Sequence, residues 1–245
     1  MGVNASYYEL LAKELAKSGY TAITADLRGN GHSSIRPKRH TNFSYKDVLN
    51  QEYTSVVKYA NEKFPTSKTI LLGHSLGGQL SCLFASRNSA KVDGLILSAA
   101  CSVYYKGWSG FSSYRILAAT QFIGLVSRVI GYFPGKKLGF GGTEAKGVMT
   151  DWSRQARTGN YVLDNDQHNY EQELRTVSLP LLAISYQGDE MAPKGAVEHL
   201  LAKLSLAKTE HIHLKKNDPR NESFSHFSWA KKPTNIVAIV DEWMN

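Results

Sequence analysis

The chain has 245 residues, of which 42% are hydrophobic and 20% are charged. These proportions are ordinary for a globular protein, and they exclude wholesale disorder, collagen-like repeats and a coiled-coil rod. Lysine and arginine outnumber aspartate and glutamate by 29 to 21, which gives a formal net charge of +8. The basic excess is spread in small clusters without aromatic interleaving or zinc-ligand spacing. We therefore interpret it as solvated surface and expect no nucleic-acid partner.

Cysteine content and the first residues bear on the compartment. Cys82 and Cys101 are too few for a disulfide framework, and both lie in apolar segments. The opening residues 1–4 lack the charged start and apolar run of a secretory signal. These observations predict a cytoplasmic protein. The histidines and cysteines show no spacing typical of metal ligands, so neither a metal nor another cofactor is expected.

Helix and strand signals alternate along much of the chain. The first part predicts a helix at 6–17, a strand at 21–25, a helix at 44–63, a strand at 68–72, a helix at about 76–88 and a strand at 92–98. The last part predicts a strand at 181–185, a helix at about 194–206, a strand at 211–214 and a helix at about 233–243. The strands are apolar throughout, which is typical of a parallel sheet covered by helices on both faces.

Residues 102–176 interrupt this alternation with many aromatic residues and a glycine-rich stretch at 139–142. They predict an insertion between two strands, with the core formed by residues 1–101 and 177–245. The apolar run at 116–133 is not expected to span a membrane, because Gln121 and Arg128 interrupt it. A helix lying at a lipid interface is left open.

A strand followed by Gly73-His74-Ser75-Leu76-Gly77 and then a helix has the pattern Gly-x-Ser-x-Gly. A serine on such a tight turn is held in strained backbone geometry and needs small neighbours, which we assign to Gly73 and Gly77. The amide of Leu76 opens the helix and would face a developing oxyanion. Ser75 is therefore the predicted nucleophile, and Leu76 a predicted oxyanion donor.

A serine hydroxyl needs a base to take its proton and an acid to orient that base. His226 follows the last strand, at the same sheet edge as the serine turn, and is the predicted base. Asp189 follows the strand before it and is the predicted acid, with Glu190 as the alternative. Asp164 and Asp166 are poorer choices because they fall within the insertion.

These segments, together with residues 25–33 and 188–193, resemble the α/β-hydrolase superfamily, and in particular its serine-aminopeptidase-like and lysophospholipase-like members. The resemblance implies a three-layer α/β-hydrolase fold: a mostly parallel sheet flanked by helices, with a helical cap at 102–176 inserted between two strands. In such proteins the insertion forms a lid over the nucleophile. Tyr104, Trp108 and Phe111 would then line a substrate pocket, although the same residues would also serve as ordinary cap core.

The resemblance also implies strands before the first helix and a second oxyanion amide in the loop that precedes it. Here the first helix begins within the first several residues, so the backbone near Gly2 occupies the place of that loop. The strand leading into the loop is expected to be missing. A missed upstream start, a truncated chain and a shortened natural variant would each explain this.

The sequence predicts a cofactor-free serine hydrolase that cleaves a carboxylic ester of a small or lipid-like molecule through an acyl-enzyme. An amide or thioester is the second choice. Two alternatives remain open: a hydrolase-fold binding or regulatory module without a working oxyanion hole, and an acyltransferase that uses the same three residues. The expected partner is the ester substrate, with no stable membrane insertion, and the oligomeric state is left undetermined.

Overall fold

The computed structural model describes all residues from Met1 to Asn245. Its strands are β1 (Ile70–His74), β2 (Gly94–Ser98), β3 (Tyr132–Pro134), β4 (Thr143–Ala145), β5 (Pro180–Tyr186) and β6 (Lys208–Leu214). Its α-helices are α1 (Glu9–Lys17), α2 (Tyr45–Val48), α3 (Thr54–Lys63), α4 (Leu76–Asn88), α5 (Gly110–Ile130), α6 (Gly135–Leu138), α7 (Lys146–Thr158), α8 (Tyr170–Arg175), α9 (Lys194–Leu201) and α10 (Thr234–Met244). No helix is both long enough and apolar enough to cross a bilayer.

The main sheet has four strands in the order β1-β2-β5-β6, and every neighbouring pair is parallel. All four strands therefore present their carboxyl ends at one edge. The loops after β1, β5 and β6 meet there, with β2 separating the first from the other two. This confirms the predicted α/β class and brings together the three chain segments that carry the predicted site.

Each face of the sheet packs on its own set of helices, because successive side chains of a strand point to opposite sides. Leu95 and Leu97 of β2 belong to the larger cluster, which includes residues of α4. Ile96 belongs to the second cluster, together with Leu11 of α1 and Ile236 of α10. Both faces of the sheet are thus buried under helices, as the apolar strands predict. The result is three layers, with helices on each side of the sheet.

The insertion packs into the larger of these two clusters. Phe133, Met149 and Trp152 are all buried in it. Within the insertion, α5 and α7 pack together closely at Gly124, where an added Cβ would lie 2.5 Å from the hydroxyl oxygen of Ser153. Residues 102–176 contribute no strand to the main sheet, and β3 and β4 pair only with each other. The segment is therefore a helical addition that shares the core of the sheet.

Three predicted elements differ from the structure. The helix expected at about 194–206 ends at Leu201. The helix expected at 44–63 is helical from Tyr45 to Lys63, but it contains one π-helical stretch at Leu49–Tyr53 between α2 and α3. The strand expected at 21–25 is wrong, because these residues form no ladder. A β-propensity run becomes a strand only when a neighbour accepts its backbone hydrogen bonds, and β1, whose pairing is with β2 alone, forms one edge of the sheet.

Candidate active site

The turn between β1 and α4 holds Ser75 in a strained conformation. Its φ of 53° and ψ of −122° are rare for a residue with a side chain, and such a state costs about 1–3 kcal/mol. The turn is fixed by two hydrogen bonds: the Ser75 amide donates to the Ser98 carbonyl, and the Gly78 amide donates to the Ser75 carbonyl. The Ser75 side chain remains partly exposed at the carboxyl edge of the sheet.

Two glycines make this turn sterically possible, and one of them differs from the sequence-based assignment. A Cβ on Gly73 would lie 2.4 Å from the Cα of Gly78, and a Cβ on Gly78 would lie 2.3 Å from the Cβ of Ala100. A Cβ on Gly77 would meet nothing within 4 Å. The second glycine required by packing is therefore Gly78 and not Gly77. The close approach is made by α4 to Ala100, a residue that lies just beyond β2.

This difference gives a matched pair of substitutions. Gly78→Ala should lower the free energy of unfolding by about 1–3 kcal/mol, because its methyl group must displace backbone or Ala100. Gly77→Ala should leave it unchanged or raise it by up to about 1 kcal/mol, because alanine favours a helix. Urea denaturation of both variants measures this. Equal destabilisation by the two substitutions would contradict the packing argument.

His226 connects the serine to the acid. Its Nε2 lies 3.0 Å from the Ser75 hydroxyl oxygen, and its Nδ1 lies 2.9 Å from one carboxylate oxygen of Asp189. His226 and Asp189 are both buried, with 6% and 5% of their surface exposed. The structure thus brings the three predicted side chains into one hydrogen-bonded chain. Glu190, the alternative acid, is exposed.

The carboxylate of Asp189 is fixed by the loop that carries it. One of its oxygens accepts hydrogen bonds from the amides of Met191 and Ala192, at 2.9 and 3.0 Å. The loop leaves β5 through Gly188, whose φ of +93° lies in the left-handed region that favours glycine. The Asp189 side chain therefore keeps its orientation toward His226 without further support from other side chains.

The loop of His226 is held by residues that the sequence reasoning missed. The carbonyl oxygen of His226 accepts hydrogen bonds from Trp229 Nε1 at 3.1 Å and from His74 Nε2 at 2.8 Å. His74 Nδ1 in turn accepts from the Tyr8 hydroxyl at 2.7 Å. Nothing in the local sequence pattern of His74 indicates this long-range partner.

Burial is the largest cause that lowers the pKa of His74, and the charge of His226 is the second; together they bring this pKa to about 3. His74 is therefore neutral in the fold, which agrees with one nitrogen donating and the other accepting. A histidine in an unfolded chain titrates near pH 6.5. Between pH 6.5 and 3 the unfolded chain takes up a proton that the folded chain does not bind, so this residue weakens folding as the pH falls.

The substitution His74→Gln removes this titration and keeps a donor for the His226 carbonyl. The stability advantage of the natural protein over the variant should shrink as the pH falls below 6.5, by about 1.4 kcal/mol per pH unit. Urea denaturation at a series of pH values measures the difference. A constant difference over this range would show that His74 is already protonated in the folded protein.

The remaining predicted site residues lie in separate environments. The amide of Leu76 is the first of α4 and has no acceptor within the helix. Gly2 has a φ of +69°, packs on the backbone of Gly142, and lines an open cavity of about 480 Å³ beside Phe227, the neighbour of His226.

The three aromatic residues predicted to line a pocket do not share a surface. Trp108 is buried and donates its indole N–H to the Glu190 carbonyl. Tyr104 packs against the ring of His199, with the ring centres 4.8 Å apart and the planes tilted by 39°. Phe111 is 77% exposed to solvent. No group of three or more histidine, cysteine, aspartate or glutamate side chains is arranged to hold a metal ion.

Comparison with solved structures supports the fold. An esterase from Thermogutta terrifontis superposes with a TM-score of 0.65 at 17% identity, over 99% of this chain and 85% of that one. A monoacylglycerol lipase from Paleococcus ferrophilus gives 0.63 at 16% identity, over 99% and 90%. A meta-cleavage product hydrolase from Pseudomonas fluorescens gives 0.61 at 17% identity, over 100% and 86%. At these identities the likeness shows the α/β-hydrolase fold.

Comparison with protein families addresses the sequence itself. The sequence model of the family described as serine aminopeptidase, S33, matches residues 1–163. The match includes the turn with Ser75 and the larger part of the insertion. With the α/β-hydrolase fold of the whole chain, it confirms the resemblance inferred from the motifs. The chain belongs to the serine aminopeptidase S33 family of α/β-hydrolases.

Proposed function

We propose that this hydrolase is a serine hydrolase that cleaves carboxylic esters through an acyl-enzyme intermediate. The observation that carries the proposal is the continuous hydrogen-bonded chain from Ser75 through His226 to Asp189. The strained backbone of Ser75 and the burial of the other two residues support it, since both features are costly and are typical of an assembled catalytic site.

In the proposed reaction His226 Nε2 takes the hydroxyl proton of Ser75 as its oxygen attacks the ester carbonyl carbon. The tetrahedral intermediate collapses when the same nitrogen returns the proton to the leaving alkoxide. A water molecule then attacks the acyl-enzyme, giving its proton to His226, and the acid is released as Ser75 regains its hydrogen. Asp189 keeps the Nδ1 proton in place and stabilises the imidazolium in both halves of the reaction.

The negative charge on the intermediate would be stabilised by the Leu76 amide, which begins α4 where the helix dipole favours an anion. A backbone amide near Gly2 is the proposed second donor. Its position on the cavity that Phe227 also lines supports this assignment, because Phe227 adjoins His226. The contacts of Gly2 with Gly142 would hold this backbone in place.

Small or lipid-like esters are the proposed substrates, with amides and thioesters as the second choice. The partial exposure of Ser75 supports a site that a substrate reaches from solvent. Among the aromatic residues predicted for the pocket, Trp108 would act through the loop of Asp189, because its indole N–H donates to the Glu190 carbonyl.

The direct test is labelling by a fluorophosphonate, which reacts with an activated serine and not with an ordinary one. We expect one adduct per chain by intact-protein mass spectrometry, and peptide mapping should place it on Ser75. An acyl-chain series of chromogenic esters would then define the preferred substrate length. A folded protein that gains no adduct would overturn the proposal.

A further inference from the structure

The longest helix, α5, presents an apolar stripe to solvent. Its members recur at helical spacing and are each between 56% and 77% exposed: Phe111, Tyr114, Phe122, Leu125 and Val129. We call these five residues the α5 stripe. It runs along nearly the whole helix, which is about 31 Å long. Scattered apolar residues are normal on a protein surface, but several large ones along one helix face mark a contact surface.

The charged residues that flank the α5 stripe along the chain are all positive. Residues 94–143 contain no aspartate or glutamate, although the whole chain has 21 of them. The same segment contains five cations, which are Lys106, Arg115, Arg128, Lys136 and Lys137, and all five are exposed. Arg115 and Arg128 lie on α5 itself, while the others lie just before and after it. These cations favour a partner that is both apolar and anionic.

We infer that the α5 stripe binds the surface of an anionic lipid bilayer, with the helix lying in the plane of the membrane. An exposed helix with apolar side chains on one face and flanking arginine and lysine residues is suited to the boundary between headgroups and acyl chains. The five side chains of the stripe project from one exposed helix face, which is suited to a deformable bilayer. A second copy of this chain packed through the same face would bring the same cations together, which disfavours that occupant.

The orientation of α5 places the lipid surface near the proposed site. On its other side, Ile116 packs against the buried cluster of Trp108 and Ala192. Ala192 belongs to the loop whose amides hold the carboxylate of Asp189. A bilayer on the α5 stripe would therefore lie close to the carboxyl edge of the sheet. Binding itself needs no chemistry, so this inference is independent of the proposed ester hydrolysis.

The test is sedimentation of the full chain with vesicles, using the Ser75→Ala variant so that no lipid is cleaved. We expect the protein to bind vesicles of equal parts phosphatidylglycerol and phosphatidylcholine, and to bind pure phosphatidylcholine at least about tenfold more weakly. Added salt should weaken the binding to the anionic vesicles. Equal or absent binding to the two kinds of vesicle would overturn the inference.

Variants separate the apolar and electrostatic contributions. The pair Phe122→Gln and Val129→Gln, made together, should lower the partition coefficient at least about tenfold. The pair Arg115→Gln and Arg128→Gln should lower it about thirtyfold on anionic vesicles, at roughly 1 kcal/mol for each charge. Each substituted side chain is exposed on α5, so circular dichroism should show an unchanged fold.

The matched control is Leu206→Gln, which removes an apolar side chain that is 62% exposed elsewhere on the surface. It should bind as the parent does. If it weakens binding as much as the substitutions in the α5 stripe, the surface is not specific and the inference fails. Analytical ultracentrifugation provides the other contradicting outcome: a dimer that the stripe substitutions dissociate, without vesicle binding, would make the stripe an interface between copies.

Discussion

Replacing Ser75 by alanine should lower kcat/KM for a chromogenic short-chain ester by at least about 10⁴-fold. The variant loses the hydroxyl oxygen that lies 3.0 Å from His226 Nε2, so no acyl-enzyme can form. Alanine keeps the Cβ of serine and adds no atom to the turn, so the fold should be retained. Initial rates, with circular dichroism as the check on folding, measure the effect.

The chain offers a second serine beside histidines as the control. The hydroxyl oxygen of Ser185 on β5 lies 2.8 Å from a ring nitrogen of both His211 and His213. Ser185 is fully buried, so no substrate can reach it. Ser185→Ala should leave kcat/KM near the natural value. If activity survives Ser75→Ala but not Ser185→Ala, the nucleophile is Ser185 on β5, and the assignment of Ser75 is contradicted.

The elements that form locally were predictable from the sequence. The helix expected at 76–88 is α4, Leu76–Asn88, because its apolar side chains and the glycine turn before it specify both its type and its start. The strands β2 and β5 are predictable because each is a short apolar run bounded by turn residues, a pattern typical of a parallel sheet. The sheet edge shared by Ser75, Asp189 and His226 followed from the parallel topology alone.

Features that depend on distant parts of the chain were not predictable. Residues 21–25 have the composition of a strand, but a strand is defined by its partner, and none pairs with this segment. The role of Gly78 depends on Ala100, which follows the next strand. The hydrogen bond of His74 to the His226 carbonyl joins residues 152 positions apart, and no local spacing encodes it.

Aromatic residues in the insertion illustrate the same limit. Tyr104, Trp108 and Phe111 have similar apolar character in the sequence, yet one packs against a histidine ring, one is buried and one is exposed. The helical period of α5 predicts which side chains share a face, but not which face meets the sheet. That depends on long-range contacts such as the one at Gly124, where α7 approaches α5 closely.

Replacing Asp189 by asparagine should lower kcat about 10⁴-fold while the loop keeps its shape. The carboxylate accepts a hydrogen bond from the Nδ1–H group of His226. This keeps the proton on Nδ1 and leaves Nε2 free to take the serine proton. An asparagine can still accept the amides of Met191 and Ala192 through its oxygen, but its NH₂ group would then face Nδ1. The imidazole would have to carry its proton on Nε2, and it could no longer act as a base toward Ser75.

Glu190→Gln is the matched control, because it makes the same change from carboxylate to amide on the adjacent, exposed residue. It should leave kcat near the natural value, since no catalytic contact involves its side chain. Single-turnover rates and fluorophosphonate labelling should both decline in the Asp189 variant, because each depends on proton removal from Ser75. If the Glu190 variant loses activity and the Asp189 variant keeps it, the acid of the site is Glu190, and the buried hydrogen bonds of Asp189 to His226 serve the loop and not the reaction.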